Sequence, residues 1–295
     1  MTVSGGAAMA AGALDAPRAV RPRRLRLSLP RMAGLDRAAL VAVVLLTVGT
    51  ALAPLIAPYD PTERVGEAFL HPLSGGFLAG TDDSGRDVLS RLLYAGRATW
   101  FSVLAVLAVS MLVGAVVGTA AGASGGWVDS VLMRVTDVFL ALPGPLLAIA
   151  IAAALGRSLT NTLVAIALVW WPWYARIVRN EVKALRARPH LEAARLAGTG
   201  RLRLGTRHLL PGALPPLLVT ASLDAGALIV TLATLSFFGL GAQPPAPELG
   251  SMTFTGANYL VDHWWVPVLP AVGVLVLSLI ATLAGDALRA LLENR

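Results

Sequence analysis

Long apolar stretches separated by polar connections dominate the pattern of the chain. A helix that crosses the hydrocarbon core of a bilayer needs about 20 apolar residues, and six stretches come close to this length. They are approximately Ala38–Ala57, Ala98–Ala121, Val135–Leu155, Leu159–Val178, Leu214–Gly239 and Val266–Leu288. The alternation that marks barrel strands is absent, and a backbone in lipid must satisfy its own hydrogen bonds. The pattern therefore predicts an all-α membrane protein with six transmembrane helices.

The polar segments divide the chain into three parts. Residues 1–37 form an Arg-rich N-terminal arm, residues 38–290 the six-helix domain and residues 291–295 a short tail. The first apolar stretch could instead be a cleaved signal peptide, but it is long for one and begins late, so we expect it to be retained. The polar connection between the fourth and fifth spans, about residues 175–213, is long. We expect it to form a surface that another protein binds.

Basic residues lie mostly on one side of the predicted topology. The arm, the long connection and the end of the chain carry most of the Lys and Arg residues behind the net charge of +7. The opposite side carries Arg64, Arg86, Arg91, Arg97 and Arg157. Because loops rich in Lys and Arg stay in the cytoplasm, both termini are predicted to be cytoplasmic. The charge thus indicates topology and contact of the arm with anionic lipids, and no nucleic-acid partner is expected.

Composition excludes several kinds of chemistry. Hydrophobic residues make up 56% of the chain and charged residues 14%, whereas soluble domains carry about 25% charged residues. There is no cysteine, and the four histidines are not clustered, so no metal site is predicted. No phosphate-binding loop of the G-x-x-x-x-G-K-[ST] type occurs. We therefore expect no catalytic residues and no cofactor in this chain.

The first loop on the less basic side carries a dense motif between Gly80 and Tyr94, with the sequence G-T-D-D-S-G-R-D-V-L-S-R-L-L-Y. Asp83 or Ser84 can cap a short helix in this motif, and Gly96 is placed to end it. The apolar residues of that helix share one face. The pattern predicts a short helix that lies on the membrane surface.

This motif resembles the signature of the dipeptide, oligopeptide and nickel branch of ABC importer permeases. Two later segments, Tyr174–Val182 and Leu235–Gly241, resemble the same branch, and so do the following prolines, Pro244 and Pro245. The resemblance covers about residues 38–290 and is closer to the C-type permease subunit than to its longer-looped partner. It implies the type I ABC importer permease fold.

The same resemblance implies a function and a set of partners. The chain would form half of a translocation path for di- or oligopeptides in the bacterial cytoplasmic membrane, with nickel or another small solute as the alternative cargo. A second homologous permease subunit, two ATP-binding subunits and an extracytoplasmic solute-binding protein would complete the importer. ATP and Mg would bind to the ATP-binding subunits, so the permease itself would not be an enzyme.

The long connection contains the segment on which this interpretation mainly depends. Good helix formers run from Leu191 to Ala197, and Gly198 or Gly200 can end that helix. The resemblance assigns the docking of the ATPase to Glu192, Ala193, Ala194, Gly198, Leu210 and Pro211. The prolines at 211, 215 and 216 are expected to separate the connection from the fifth span. A basic amphipathic loop that lies on anionic lipid is the alternative.

A carboxylate inside the fifth predicted span, Asp224, is a further candidate functional residue. A charge at mid-membrane costs about 2.5–3.5 kcal/mol on insertion scales. Asp224 therefore either packs within the bundle or faces a wet path, and both alternatives stay open. The candidate path residues are Asp224, Leu232, Ser236 and Phe237. Leu232 stands where the resembled family usually has a glutamate, so this span is less polar than usual.

The candidate contacts for the binding protein lie in the loops on the less basic side. They are Asp87, Arg91, Pro244 and Pro245. The aromatic residues near span ends are expected to form belts at the membrane interfaces rather than platforms for a ligand. They are Trp170, Trp171, Trp173, Tyr174, Trp264 and Trp265.

Two other functions are considered beside the importer. An ATP-independent secondary transporter is disfavoured, because no repeat relates the two halves of the chain and charged residues are scarce within the spans. A membrane scaffold that transports nothing would give no reason for the docking motif.

Overall fold

The computed structural model of the chain describes residues 34–189, 191, 196 and 198–293. The N-terminal arm lies almost entirely outside the described residues, and so do Glu192, Ala193 and Ala194 of the docking motif. The side chains of residues 201, 202 and 293 are likewise not described.

Helices make up the described structure. They are α1 (Gly34–Ala51), α2 (Ala53–Ile56), α3 (Val88–Ser124), α4 (Gly126–Leu140), α5 (Gly144–Leu155), α6 (Leu159–Arg186), α7 (Arg201–Leu204), α8 (Leu210–Phe237), α9 (Leu249–Gly256) and α10 (Trp265–Glu293). A π-helical turn, Gly205–Leu209, joins α7 to α8, and a 3-10 turn, Ala257–Tyr259, follows α9. Only isolated bridges of the extended type occur within the described ranges. The predicted all-α class is confirmed.

Four of these helices are long and apolar enough to cross a membrane: α1, α3, α8 with its preceding π turn, and α10. A fifth span results if α4 and α5, which meet at a bend of 88°, are counted together. The remaining predicted span corresponds to α6, whose 28 residues extend over about 42 Å at 1.5 Å per residue. The C-terminal half of α6 carries several basic residues, so six spans remain a prediction.

The predicted surface helix before the second span is wrong. Asp87, rather than Asp83 or Ser84, caps the helix, and its carboxylate accepts a hydrogen bond from the Ser90 amide. The helix then continues through Gly96 to Ser124 without a break. A glycine inside a helix costs only about 0.5–1 kcal/mol, and the burial of the side chains around it outweighs this cost.

The third predicted span is not one straight helix. Leu140 ends α4, and α5 begins at Gly144 after an extended Pro143. Proline disfavours a helical conformation in the residue before it and has no amide hydrogen to donate. The two helices therefore meet at the bend of 88°, which places the end of α4 beside α6.

Helices extend into the predicted connection between the fourth and fifth spans, about residues 175–213. Helix α6 continues to Arg186 and α7 begins at Arg201, so the connection covers residues 187–200. The prolines do not separate it from the span, since Pro211 lies in the first turn of α8 and Pro215 and Pro216 lie inside that helix. Pro211 is the second residue of α8, which follows directly on the π-helical turn. Burial of neighbouring residues such as Leu217 offsets the bonds lost at the other two.

Helices α3 and α6 pack so closely that their backbones touch. Gly114, Gly118 and Gly122 lie four residues apart on one face of α3, and each meets α6. A Cβ atom at Gly118 would lie 2.4 Å from the carbonyl oxygen of Ala175 and 2.8 Å from the Cβ of Val178. Small residues allow such approach between membrane helices, where dispersion rather than the hydrophobic effect drives packing.

Replacing Gly118 with alanine should destabilise the bundle. The new methyl group cannot fit without separating α3 from α6, and overpacking of this kind costs about 1–3 kcal/mol. We expect the apparent melting temperature in detergent, followed by tryptophan fluorescence, to fall by roughly 3–10 °C.

The matched control is Gly96→Ala in the same helix. A Cβ atom at Gly96 meets nothing within 4 Å, and alanine is the better helix former by about 0.5–1 kcal/mol. This variant should melt at the wild-type temperature or slightly above it. Equal melting temperatures for Gly118→Ala and Gly96→Ala would contradict the close packing.

Candidate functional site

The α2–α3 loop, residues 57–87, is organised around the buried carboxylate of Asp82. Its Oδ1 accepts hydrogen bonds from the amides of Ser84 and Arg86, both at 2.9 Å. Its Oδ2 lies 2.7 Å from Nε of Arg86 and 3.4 Å from Nε of Arg91. The sequence motif G-T-D-D-S-G-R-D thus builds a structured loop in which one carboxylate is shared by two guanidinium groups.

Arg91 connects this loop to the segment that follows α8. Its Nη1 donates to the carbonyl oxygen of Pro61 at 2.7 Å and to that of Pro245 at 3.2 Å. Asp87, one turn earlier, is the buried N-cap of α3. The predicted binding-protein contacts therefore come together in space, but Asp87 and Arg91 are buried while Pro244 and Pro245 are exposed.

A buried glutamate in the same region, Glu248, was not predicted from the sequence. It is the N-cap of α9, and its carboxylate accepts hydrogen bonds from the amides of Gly250 at 3.1 Å and Ser251 at 2.9 Å. Thr99 of α3 lies 3.5 Å from it. Burial raises the pKa of the Glu248 carboxyl, and the hydrogen bonds from Ser251 and Gly250 partly oppose this shift. Asp, Ser and Thr are the usual caps, so the sequence carried little signal for it.

Two of the expected belt aromatics are interior residues. Trp265 is fully buried and donates its indole N–H to the Thr81 carbonyl oxygen at 3.2 Å. Tyr174 is also fully buried. The belt prediction is therefore wrong for these two, because neighbours distant in sequence enclose them. Trp265 instead anchors the α2–α3 loop to the start of α10.

Asp224 lies near the middle of α8 and lines a pocket of about 260 Å³. Its Oδ2 is buried without a hydrogen-bond partner, and so is the hydroxyl oxygen of Tyr174. The two side chains are neighbours across α6 and α8, close enough to influence each other, but their geometry falls outside hydrogen-bond limits. Asp224 is thus a half-buried carboxyl group beside a buried phenol.

The other candidate path residues divide between the interior and the surface. Leu232 and Ser236 are fully buried, and the Ser236 hydroxyl oxygen has no hydrogen-bond partner. Phe237 is partly exposed and lines two apolar pockets of about 270 Å³ and 470 Å³. Among the four candidates, Asp224 and Phe237 thus face open space.

The end of α6 and the start of α8, on either side of the α6–α7 connection (residues 187–200), pack together. A Cβ atom at Gly212 would lie only 2.6 Å from Cδ1 of Leu185, so the end of α6 packs against the start of α8. Within the connection, Leu191 is buried, whereas Leu196 is 86% exposed. Gly198 has a φ of 79°, which is the left-handed conformation expected of a glycine that ends a helix. Leu210 and Pro211 form the first turn of α8 rather than part of the connection.

Comparison with known proteins decides the family. Residues 110–295 match the family described as the inner membrane component of binding-protein-dependent transport systems. The chain belongs to this family. The predicted resemblance is confirmed, and the chain is a transport permease subunit with several membrane helices.

The names of several relatives of this permease state a substrate. The probable D,D-dipeptide transport system permease protein DdpC of Escherichia coli is 39% identical and covers 86% of each chain. The di/tripeptide transport system permease protein DppC of Pseudomonas aeruginosa is 41% identical over 87% of this chain and 86% of its own length. The nickel transport system permease protein NikC of Escherichia coli is 38% identical, over 86% of this chain and 91% of its own.

Ion pairs connect the permease's α6 to the helix before the bend. Asp129 of α4 accepts from Nη2 of Arg179 at 2.8 Å and from Nζ of Lys183 at 2.6 Å. Arg176 pairs with Asp137 two turns further along α4. Arg186, the last residue of α6, donates to the carbonyl oxygen of Gly122 in α3 at 2.7 Å. These contacts tie α6 to both neighbouring helices.

Replacing Arg91 with alanine should loosen the α2–α3 loop. The change removes two hydrogen bonds from a charged donor, each worth about 1.5–3 kcal/mol, so we expect amide hydrogens of residues 57–87 to exchange at least about tenfold faster. Hydrogen–deuterium exchange with mass spectrometry on the detergent-purified permease measures this. Arg97→Ala, at an exposed position of the same helix, is the control and should leave the exchange unchanged. Equal exchange in the two variants would show that Arg91 does not hold the loop.

Proposed function

We propose that the chain is a transmembrane subunit of an ATP-driven importer for di- or oligopeptides in a bacterial cytoplasmic membrane. The membership of its family and two relatives named for dipeptide or di/tripeptide transport support this function. Six spans with cytoplasmic termini are part of the proposal. The six stretches of the sequence and the location of its basic residues support that topology.

The observation that carries the coupling to ATP is the α6–α7 connection. A leucine that is 86% exposed, Leu196, follows a buried leucine, Leu191, in the short connection between α6 and α7. Leu196 lies next to the sequence Glu192-Ala193-Ala194, which resembles the docking segment of the family. We assign the docking of an ATP-binding subunit to this segment, with Glu192, Ala193, Ala194 and Gly198 as contact residues. Leu210 and Pro211 then fix the start of α8 beside it.

The complete importer would contain four kinds of component. A second homologous permease would supply the other half of the path, and two ATP-binding subunits would bind ATP and Mg. A solute-binding protein would deliver cargo at the end of the bundle that carries the α2–α3 loop, where Pro244 and Pro245 are exposed. This permease would bind no cofactor of its own and catalyse no reaction.

Transport by this assembly follows from the connections within the permease. Movement of the ATP-binding subunits would displace the α6–α7 connection, and α6 would carry α4 with it through the pairs at Asp129 and Asp137. The path would thus alternate between its two openings. ATP can drive the change only because it binds the two states with different affinity.

Nickel is the second candidate cargo, because a nickel permease is among the relatives, at 38% identity. Peptides come first because both relatives at 39% and 41% identity are named for dipeptide or di/tripeptide transport. Membership of a family that depends on binding proteins weighs against the ATP-independent secondary transporter.

The test of the function is purification of the permease from its native membrane in mild detergent. We expect a second six-span chain and ATP-binding subunits to co-purify, and the preparation to hydrolyse ATP. Reconstituted with its binding protein, it should take up alanyl-alanine only when ATP is present. A chain that purifies alone and shows no ATPase activity would refute the proposal.

Replacing Gly198 with valine should release the ATP-binding subunits. The φ of 79° at Gly198 is unfavourable for any side chain with a Cβ atom and above all for a β-branched one, so the connection must change its conformation. We expect the ATP-binding subunits recovered with the permease to fall by about tenfold, as a change of about 1.4 kcal/mol produces. Glu192→Lys, which reverses a charge in the docking motif, should act in the same direction.

Gly200→Val is the matched control for this change. Both glycines have open space around the position of a Cβ atom, but only Gly198 has a positive φ. Membrane insertion should be normal in all three variants. If Gly198→Val and Gly200→Val retain the ATP-binding subunits equally well, the docking assignment of Gly198 is wrong.

A further inference from the structure

A pocket at the bend between α4 and α5 combines one carboxylate with aromatic side chains. Its volume is about 260 Å³. The bend, α6 and α8 all contribute to its lining, which includes Phe139, Leu142, Val169, Trp170, Trp173 and Asp224. Neither the docking of an ATP-binding subunit nor the contact with a binding protein uses these residues.

The carboxylate of this pocket has no basic partner. The ion pairs found among the described residues join Arg and Lys to Asp82, Asp83, Asp129 and Asp137, and none includes Asp224. The polar group beside the Asp224 carboxyl, among the described residues, is the Tyr174 hydroxyl, which supplies no positive charge. A charge inside a membrane protein normally faces a path or a partner of opposite sign. A positively charged ligand would therefore be stabilised here.

The aromatic residues select the kind of cation. Trp170 and Trp173 lie on α6, and Phe139 is held at the end of α4 by an edge contact with Trp171, with ring centroids 5.7 Å apart. An ammonium group over the face of an indole ring is attracted by the ring electrons. A carboxylate together with aromatic rings is thus a suitable site for an organic ammonium group. A bare divalent metal ion instead needs several oxygen or nitrogen ligands, and the lining offers one carboxylate.

We propose that this pocket binds the terminal ammonium group of a peptide during its passage through the permease. Asp224 pairs with the ammonium group, and Trp170 and Trp173 cover it. The proposal rests on the proposed function, which supplies peptides as cargo. At about 260 Å³ the pocket is smaller than typical sites for drug-sized ligands, which occupy about 300–1,000 Å³. It therefore holds one end of a peptide, the end that all peptides have in common.

The position of the pocket fits a step of transport. Its walls belong to α4, α5, α6 and α8, and α4 is attached to α6 by the ion pairs at Asp129 and Asp137. Movement of α6 would therefore displace Trp170 and Trp173 relative to Asp224 on α8. The pocket would bind an ammonium group tightly in one arrangement of the helices and less tightly in another, and this lower affinity would release the cargo.

Binding of two small probes to the purified permease complex in lipid nanodiscs, without its binding protein, tests this site. The first probe is alanyl-alanine amide, which carries the ammonium group and no carboxylate. The second is N-acetyl-alanyl-alanine amide, which is neutral. Tryptophan fluorescence follows binding because two of the indole rings line the pocket. We expect saturable binding of the first probe and at least about tenfold weaker binding of the second, since a hydrogen-bonded charge is lost.

Three variants separate the pairing from a general effect on structure. Asp224→Asn should weaken binding of the first probe by about tenfold or more and leave binding of the second unchanged, because it removes only the charge. Asp224→Glu retains the charge and should stay within about threefold of wild type. Asp286→Asn, at an exposed position of α10, should bind both probes as wild type does. All four proteins should melt at similar temperatures.

The outcomes that overturn the proposal differ from those that overturn the function. Absence of saturable binding to wild type, equal binding of the two probes, or wild-type binding by Asp224→Asn would each refute the ammonium site. Uptake of alanyl-alanine by the same complexes, measured in parallel with ATP and the binding protein, tests the function. ATP-dependent uptake by wild type that Asp224→Asn leaves unchanged would refute the site but not the importer. A lack of uptake by wild type would refute the importer.

Discussion

The contact between α3 and α6 is the constraint on which the rest of the structure depends. In lipid, two helices gain little from the hydrophobic effect, so they associate where their surfaces fit closely. Gly114, Gly118 and Gly122 allow the backbone of α3 to touch that of α6 along several turns. This contact fixes the rotation of α6 about its own axis. The other side chains of α6 then point in directions that are already set.

The fixed rotation of α6 explains how one helix serves several parts of the permease. Near its middle, Tyr174 is buried beside Asp224, while Trp170 and Trp173 line the pocket at the bend. One turn later the basic residues face α4 and form its ion pairs. At its end, Leu185 packs against the start of α8. One helix therefore joins the pocket at the bend to the α6–α7 connection.

The sequence predicted the helices that lipid requires and missed the details that packing decides. Hydropathy located α1, α3, α8 and α10 to within a few residues of their ends, apart from the early start of α3, because spanning the bilayer demands a long apolar stretch. The positions of glycine and proline predicted the ends of helices less well. Gly96 does not end a helix and Pro215 does not prevent one, since burial outweighs local propensity. Pro143 does break its span, at a bend that hydropathy cannot reveal.

For the candidate site, too, some features followed from the sequence and others only from packing. The motifs along the chain were sufficient for the family, because the loop signature between Gly80 and Tyr94 and later segments that resemble the same family occur within one membrane protein. The sequence alone thus determined the class of the protein, its family and where to look for its partners. Only the tertiary structure decided that Arg91 is buried against Pro245, that Trp265 bonds to Thr81 and that Glu248 caps α9. The reason is physical: burial and hydrogen bonding depend on residues far apart in the chain, and hydropathy reports only on neighbours.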